Sequence, residues 1–95
     1  MNIHDLKPGM GHVDMRVRVT SVSEPKQVTS GAGIKHRILE ATVLDETGST
    51  ALVLWNGRII AIKAGDIVEI RNGFVTSFKG VWRVNVGKYG EITKI

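Results

Sequence analysis

The chain has no cysteine, only two prolines and no long apolar run. The absence of cysteine excludes a disulfide framework and any thiolate metal site. The longest apolar runs, residues 51–55 and 59–62, are far shorter than the ~20 residues that a membrane-spanning helix needs. The first ten residues have no apolar centre, which argues against a signal peptide. We therefore expect a soluble intracellular protein that makes no use of a membrane.

Catalytic signatures are also missing. Three histidines and nine carboxylates are spread along the chain without the spacing of a nucleophile and its base, and no zinc-protease, serine-hydrolase or deaminase motif occurs. The glycine-rich run at residues 30–33 is not followed by the Gly-Lys-Ser/Thr of a phosphate-binding loop. No two histidines have metal-ligand spacing on one predicted element. The sequence predicts no enzyme, no metal site and no cofactor.

The length of the chain and its net charge indicate the number of domains and the kind of partner. Ninety-five residues suffice for a single domain, which we expect to span residues 1–95. Thirteen basic and nine acidic side chains leave a formal net charge of +4. This excess favours an anionic partner such as nucleic acid, an acidic protein surface or acidic lipid. Charge alone does not choose among these.

The aromatic residues are distributed unevenly. The first 54 residues contain none, and all five lie between residues 55 and 89, interleaved with lysine and arginine. Flat apolar rings beside cations suit a ligand that presents flat bases on an anionic backbone. The pattern therefore favours single-stranded nucleic acid as the partner.

Alternating apolar and polar residues predict β-strands, most clearly at residues 13–20. Asp-Glu-Thr-Gly at residues 45–48 predicts a hairpin turn in which the glycine supplies a positive φ. Residues 24–33 are predicted to be a flexible loop. Residues 56–64 carry the only helical pattern, with Asn56 as its cap and Gly65 at its end. The other predicted strands are residues 35–44, 50–55, 66–71 and 81–86, with residues 91–95 extending or re-pairing the sheet.

This order predicts an all-β fold. Five strands with a short helix between the third and the fourth are the arrangement of the OB-fold, a five-stranded, partly open Greek-key barrel. That fold binds oligonucleotides across its second and third strands and the neighbouring loops.

Trp55 is the strongest candidate for a base-stacking residue. It ends the third predicted strand on the same side as Val53, whereas Leu52 and Leu54 point to the other side. Because a barrel wall has one inner face, a core made by the leucines places Trp55 outside. The alternative is that Trp55 itself belongs to the core. We favour the exposed tryptophan.

Two phenylalanines, Phe74 and Phe78, lie in the loop or strand extension between the fourth and fifth predicted strands. Two phenylalanines at such positions seldom both bury well in so small a protein, so we predict that they contact the ligand. The alternative is a small local core at the end of the barrel. Lys79 follows Phe78 and suits a phosphate contact.

The fifth predicted strand divides its side chains between two faces. Trp82 shares a side with Val84 and Val86, which predicts a core position. The alternative is that Trp82 lies with Trp55 on the binding face. Arg83 and Asn85 point the other way and are predicted to face the ligand, Arg83 at a phosphate and Asn85 at a sugar or base.

Two cations of the second predicted strand, Lys35 and Arg37, are further candidates for phosphate contacts. The alternative is that both are ordinary solvated side chains.

Several runs together resemble a known family, the archaeal single-OB single-stranded DNA-binding proteins and the OB domains of archaeal replication protein A. The eukaryotic simple single-OB proteins are similar too. The runs that carry the resemblance are LKPGM at residues 6–10, DETG at 45–48, LVLW at 52–55, IKAGDIV at 62–68, NGF at 72–74, FKG at 78–80 and VNVG at 84–87.

The resemblance implies single-stranded DNA binding in replication or repair, with partner proteins of that machinery and a location at the nucleoid in the cytoplasm. It assigns base stacking to Trp55, Phe74 and Phe78. The middle position is often tryptophan in relatives, so Phe74 keeps an aromatic face but offers less area. An RNA-binding OB module and a protein-interaction OB domain remain as alternatives. Many relatives add a glycine-rich or acidic tail, and whether these residues are one domain of a longer architecture stays open.

Overall fold

Seven β-strands and two short 3₁₀ turns make up the fold. A computed structural model describes residues 1–95 with the exception of the side chain of Phe78. The 3₁₀ turns are Ile3–Asp5 and Asn56–Arg58. The strands are β1 (Val13–Val22), β2 (Lys26–Thr29), β3 (Lys35–Asp45), β4 (Gly48–Trp55), β5 (Ile67–Phe78), β6 (Val81–Val86) and β7 (Glu91–Lys94).

The strands form a barrel because β1 pairs with two different partners. Its first half, from Val13 to Arg18, is antiparallel to β5, and the stretch from Arg18 to Val22 is antiparallel to β3. The sheet follows the order β1-β3-β4-β6-β5, and the pairing of β5 with β1 closes it into a barrel. β4 and β6 are a parallel pair. β2 and β7 are added outside, on β3 and β5. This is the predicted all-β OB-fold.

The core follows the predicted alternation. Along β1, every second residue from Val13 to Val19 is buried and the residues between them are exposed. The same inner face continues in the other strands, where the expected aliphatic residues are almost completely buried. They are Leu52 and Leu54 of β4, Val68 and Ile70 of β5, and Val84 and Val86 of β6.

Two predicted segments differ in the structure. Residues 26–29, expected in a flexible loop, form the edge strand β2 on β3, which lacks a strong alternation because its side chains are mostly exposed. The predicted helix at residues 56–64 is only the 3₁₀ turn Asn56–Arg58. Ile62 is nevertheless part of the buried core, and Ile59 and Ile60 pack against that core. No helix in the described part of the chain is long and apolar enough to cross a membrane.

The β3–β4 hairpin is present, but a side chain organises its turn. Gly48 does not have the positive φ that the sequence predicts. Instead the Asp45 carboxylate accepts hydrogen bonds from the backbone N–H groups of Thr47 (2.7 Å), Gly48 (3.2 Å) and Ile3 (2.7 Å). Burial raises the pKa of Asp45, but these bonds and one from the Thr47 hydroxyl outweigh it and hold the pKa below its ordinary value.

A β-bulge interrupts β5 where the sequence predicted the end of a strand. Opposite Val13 and Met15 of β1 stand Gly73 and Ile70 of β5, so β5 carries one extra residue. The extra residue is Asn72, which has a φ of 55°. Its N–H donates to the Asp14 carboxylate at 2.8 Å. Gly73 is required beside it, because a Cβ there would lie 3.0 Å from the Asn85 carbonyl oxygen.

The bulge changes which side chains of β5 point outward. Before it, Val68 and Ile70 point inward, and after it the inward residues are Gly73 and Val75. Strict alternation from Ile70 would have turned Phe74 into the barrel. The extra residue therefore brings Phe74 to the outside.

The end of β5 and the start of β6 form a hairpin that extends past the barrel core. Its two-residue turn is Lys79-Gly80, with φ of 52° and 79°, as in type I′ turns. Trp82 shares a side with Val84 and Val86 but is 45% exposed. Its partner across the hairpin is the small, polar Ser77. The prediction that Trp82 is core is therefore wrong, because its partner across the hairpin is too small to cover the indole.

The bulge predicts a specific ranking of substitutions at Asn72. Asn72→Gly removes the side chain but accepts a φ of 55° without strain, whereas Asn72→Val places a β-branched residue in that conformation. We expect Asn72→Val to lower the free energy of unfolding by about 1–3 kcal/mol, the cost of a strained backbone residue. Asn72→Gly should be clearly the more stable variant in urea denaturation. Equal stability of the two would show that position 72 is not left-handed.

The exposure of Trp82 predicts that it contributes little to stability. Trp82→Ala should lower the free energy of unfolding by less than about 1 kcal/mol, close to an ordinary surface change. Leu54→Ala, a core truncation on the neighbouring strand, should cost about 2–5 kcal/mol. Denaturation of both variants checks this, and a Trp82→Ala loss as large as that of Leu54→Ala would contradict the exposed position.

Candidate nucleic-acid interface

The candidate interface is the outer surface of four adjacent strands. One row of paired residues crosses β3, β4, β6 and β5, and consists of Glu40, Val53, Asn85 and Phe74. Directly paired residues place their side chains on one side of a sheet. We call the surface formed by this row, together with Trp55 and Arg83, the outer face.

Trp55 lies on the outer face at the end of β4. Its side of the strand is as predicted, with Leu52 and Leu54 fully buried on the inner side. The indole is half-buried, and its Nε1–H donates to Asn85 Oδ1 at 3.0 Å. The His36 ring meets the indole edge to face, with 5.7 Å between ring centroids and 80° between planes. Trp55 is thus fixed in orientation while part of its ring remains accessible.

Asn85 is on the predicted side of β6, but it is not displayed to solvent. It is only 3% exposed, so the expectation that its amide faces solvent is wrong, and its contact with sugar or base stays a prediction. Its amide nitrogen donates to Thr76 Oγ1 at 3.0 Å and to the carbonyl oxygens of Arg83 (3.3 Å) and Phe74 (3.4 Å). Its oxygen accepts from Trp55. Asn85 therefore positions the indole of Trp55.

Phe74 lies beside Trp55 on the outer face. Its side chain is 40% exposed, and its ring edge lies over Gly87, 3.4 Å from where a Cβ of residue 87 would be. Phe74 and Asn85 are direct partners across the β5–β6 ladder. The predicted role of Phe78 depends on a side chain that lies outside the described residues.

Charged residues line the same surface. Arg83 lies next to the central row, and its guanidinium forms an ion pair with Glu40 at 3.5 Å. Glu40 also pairs with Lys26 of β2. Lys79 is exposed at the tip of the projecting hairpin. The predicted cation Arg83 is thus on the outer face, where the Glu40 carboxylate pairs with both Arg83 and Lys26, and Lys79 is in the turn of the neighbouring hairpin.

The structure does not bring the other two predicted cations onto the outer face. Lys35 and Arg37 are exposed. In β3 they alternate with His36 and Ile38, and Ile38 is the strand partner of Trp55. Their side chains therefore project from the opposite side of the strand.

A comparable charge cluster lies on the β1–β5 side of the barrel. Glu69 pairs there with Arg16 at 3.1 Å and also with Arg71. Side-chain hydrogen bonds from Arg16 and Arg71 hold the pKa of Glu69 below its ordinary value. This cluster has no aromatic residue among its partners, which makes it a matched comparison for the Arg83 cluster.

Sequence reasoning missed three polar residues of the interface. Glu40 meets Arg83, His36 meets Trp55, and Asn56 accepts from the backbone N–H of Arg37 while its amide nitrogen lies 3.0 Å from His36 Nδ1. The hairpin turn predicted at residues 45–48 could have located two of these residues, because it sets the register between the two strands. In that register Glu40 pairs with Val53, and His36 lies close to Trp55.

Two partly exposed aromatic rings offer flat apolar faces, and the neighbouring cations offer charge to an anion. Within the described residues, no group of histidine, aspartate and glutamate side chains is arranged to hold a metal ion.

Known proteins resemble the chain in both sequence and fold. The single-stranded DNA binding protein Ssb of Saccharolobus solfataricus is 39% identical over 92 residues, which are 97% of this chain and 62% of that protein. An uncharacterized protein of Arabidopsis thaliana is 32% identical, and the match covers 97% of this chain and 66% of that protein. The second OB-fold domain of replication protein A from Methanococcus maripaludis superposes with a TM-score of 0.84 at 25% identity, covering 100% and 93% of the two chains.

Both of the relatives compared by sequence are longer than this chain. The chain spans 62% and 66% of the lengths of the two relatives compared by sequence. Its residues 6–94 match the family described as single-stranded DNA binding protein Ssb-like, OB fold. The chain therefore belongs to the Ssb-like family of OB-fold proteins.

Proposed function

We propose that the chain binds single-stranded DNA on its outer face, with little sequence preference. The observation that carries the proposal is the neighbouring pair of partly exposed rings, Trp55 and Phe74, with Arg83 beside them. Bases stack on the rings, and Arg83 and Lys79 contact phosphates. A third stacking position at Phe78 follows from the sequence and the family resemblance. Lys35 and Arg37 have no part in the proposal.

The proposed partner agrees with the family. The Saccharolobus relative is itself a single-stranded DNA binding protein. We extend its activity to this chain because the chain supplies the fold and the aromatic surface that such binding requires. A role in replication or repair, with partner proteins of that machinery, is part of the proposal.

The physical basis for broad specificity is stacking. Each of the four bases has a π-face, so an aromatic ring accepts all of them, with ~1–3 kcal/mol gained per stacked base. Paired bases in a duplex are stacked on each other and are not available to Trp55 and Phe74. We therefore expect the protein to prefer single strands strongly over duplex.

The first test removes the indole of Trp55. Trp55→Ala should weaken binding of oligo-dT by ~1–3 kcal/mol, the range for one stacked base, and the protein should remain folded because Leu52 and Leu54 form the core of β4. Fluorescence anisotropy of a labelled oligomer measures the affinity. Thermal denaturation confirms folding. Unchanged affinity in a folded Trp55→Ala protein would contradict the proposed site.

A fluorescence control separates the two tryptophans. In a Trp82→Phe background, Trp55 is the sole tryptophan, and oligo-dT should still quench most of its emission. The same titration with oligo-dU and oligo-U of equal length, which differ only in the 2′-hydroxyl, tests RNA as the partner. Tighter binding of RNA would reassign the substrate, and binding of neither would favour a protein-interaction surface.

The second test measures the charge contribution. Each phosphate contact to a single strand changes the slope of log affinity against log salt by ~0.7. Arg83→Gln should therefore weaken binding and make the slope shallower by about 0.7. Glu40 keeps Lys26 as a partner in this variant, so the loss is not caused by an orphaned carboxylate.

The matched control for Arg83 is Arg16. It also shares a glutamate with a second cation, because Glu69 pairs with both Arg16 and Arg71. Arg16→Gln should leave affinity and salt slope unchanged, since Arg16 is on the β1–β5 side. Equal effects of the two substitutions would mean that binding depends on overall charge and not on the outer face.

A further inference from the structure

The turn that follows β6 begins directly beside Trp55. Leu54 of β4 pairs with Val86 of β6, so Trp55 and Gly87 are neighbours one step farther along the parallel strands. The chain then turns through residues 87–90, closed by a hydrogen bond of 3.0 Å from Gly90 N–H to the Gly87 carbonyl oxygen. This turn extends the outer face at the end opposite the projecting hairpin.

Side chains from two other segments fix the backbone of this turn. Arg58 Nε and Nη2 donate to the carbonyl oxygens of Gly87 (3.3 Å) and Lys88 (3.0 Å). Asn72 Nδ2 donates to the carbonyl oxygen of Tyr89 at 3.0 Å. A turn held in this way loses little conformational entropy when a ligand binds, which favours binding.

The turn displays an aromatic residue that the fold does not use. Tyr89 is 80% exposed, so it adds almost nothing to the core. The Lys88 ammonium lies 5.5 Å from the centroid of the Tyr89 ring, within the range of a cation–π contact. An exposed ring next to a cation on a fixed backbone repeats the chemistry of the outer face.

A cleft separates Trp55 from this turn. Its volume is about 330 Å³, and it is lined by Trp55, Asn56, Gly57, Arg58 and Lys88. This is at the small end of the ~300–1,000 Å³ of ligand sites. In the described part of the chain neither Arg58 nor Lys88 forms an ion pair with a carboxylate. The cleft therefore presents positive charge to an anion.

We propose that the 87–90 turn is a separate nucleotide subsite beyond Trp55. The base stacks on Tyr89, and the phosphate between this nucleotide and the one on Trp55 lies in the cleft between Arg58 and Lys88. The inference rests on the proposed single-strand binding and extends it, because it adds a nucleotide at one end of the bound strand.

The test compares oligo-dT of increasing length on the wild-type chain, Tyr89→Ala and Tyr89→Phe. For wild type, affinity should rise with length until all subsites are filled. Tyr89→Ala should bind the longest oligomers about five- to tenfold more weakly, the low end of the range for one stacked base. It should reach its plateau one nucleotide earlier and bind the shortest oligomers as wild type does. Tyr89→Phe keeps the ring and should match wild type.

The possible results separate the two proposals. If wild type binds no oligomer, single-strand binding itself fails. If Trp55→Ala weakens binding but Tyr89→Ala leaves the affinity unchanged at every length, only the subsite is overturned. A loss that is equal at all lengths also overturns it, because Tyr89 would then act on the nucleotides bound at Trp55.

The phosphate contact has its own readout. Lys88→Gln should make the salt slope shallower by about 0.7 for long oligomers and leave it unchanged for the shortest ones. Arg16→Gln serves as the control with an unchanged slope at both lengths. A Lys88→Gln slope equal to that of wild type for long oligomers would exclude the cleft as a phosphate site.

Discussion

One extra residue in β5 determines the arrangement of the outer face. The bulge at Asn72 changes the alternation, so that Val75 continues the core while Phe74 comes to lie beside Trp55. The same residue donates its amide to the Tyr89 carbonyl oxygen, which ties the 87–90 turn to the bulge. The left-handed conformation is unfavourable for most residues. It is maintained here by the Asp14 carboxylate and by Gly73, which allows β5 to approach β6 closely.

Asn85 holds the aromatic residues in relation to one another. A single buried amide connects the indole of Trp55 on β4 with the Phe74 carbonyl and Thr76 hydroxyl on β5. A buried amide is costly unless it is hydrogen-bonded, and here both of its ends have partners. These bonds orient the surface before any ligand arrives. The indole of Trp55 is therefore held in place relative to the backbone of Phe74.

Most of the fold could be predicted from alternation, because inward and outward side chains differ in polarity along β1, β4 and β6. The side of Trp55 followed from Leu52 and Leu54. Alternation could not predict the bulge, since Asn-Gly at residues 72–73 is equally typical of a turn. It also could not show where the barrel ends, so Trp82 was placed in the core. Nor could it show that Asn85 is covered by its neighbours, because burial depends on strands that are distant in sequence.

The hydrogen bond between Trp55 and Asn85 also limits what the surface can recognise. The indole N–H is the only donor of a tryptophan side chain, and here it is used inside the protein. The amide of Asn85 is likewise occupied by Trp55, Thr76 and backbone carbonyl groups. The polar edges that distinguish adenine, guanine, cytosine and thymine therefore meet no donor or acceptor from these two residues. In the proposed site, indifference to base identity follows from internal hydrogen bonding as much as from aromatic character.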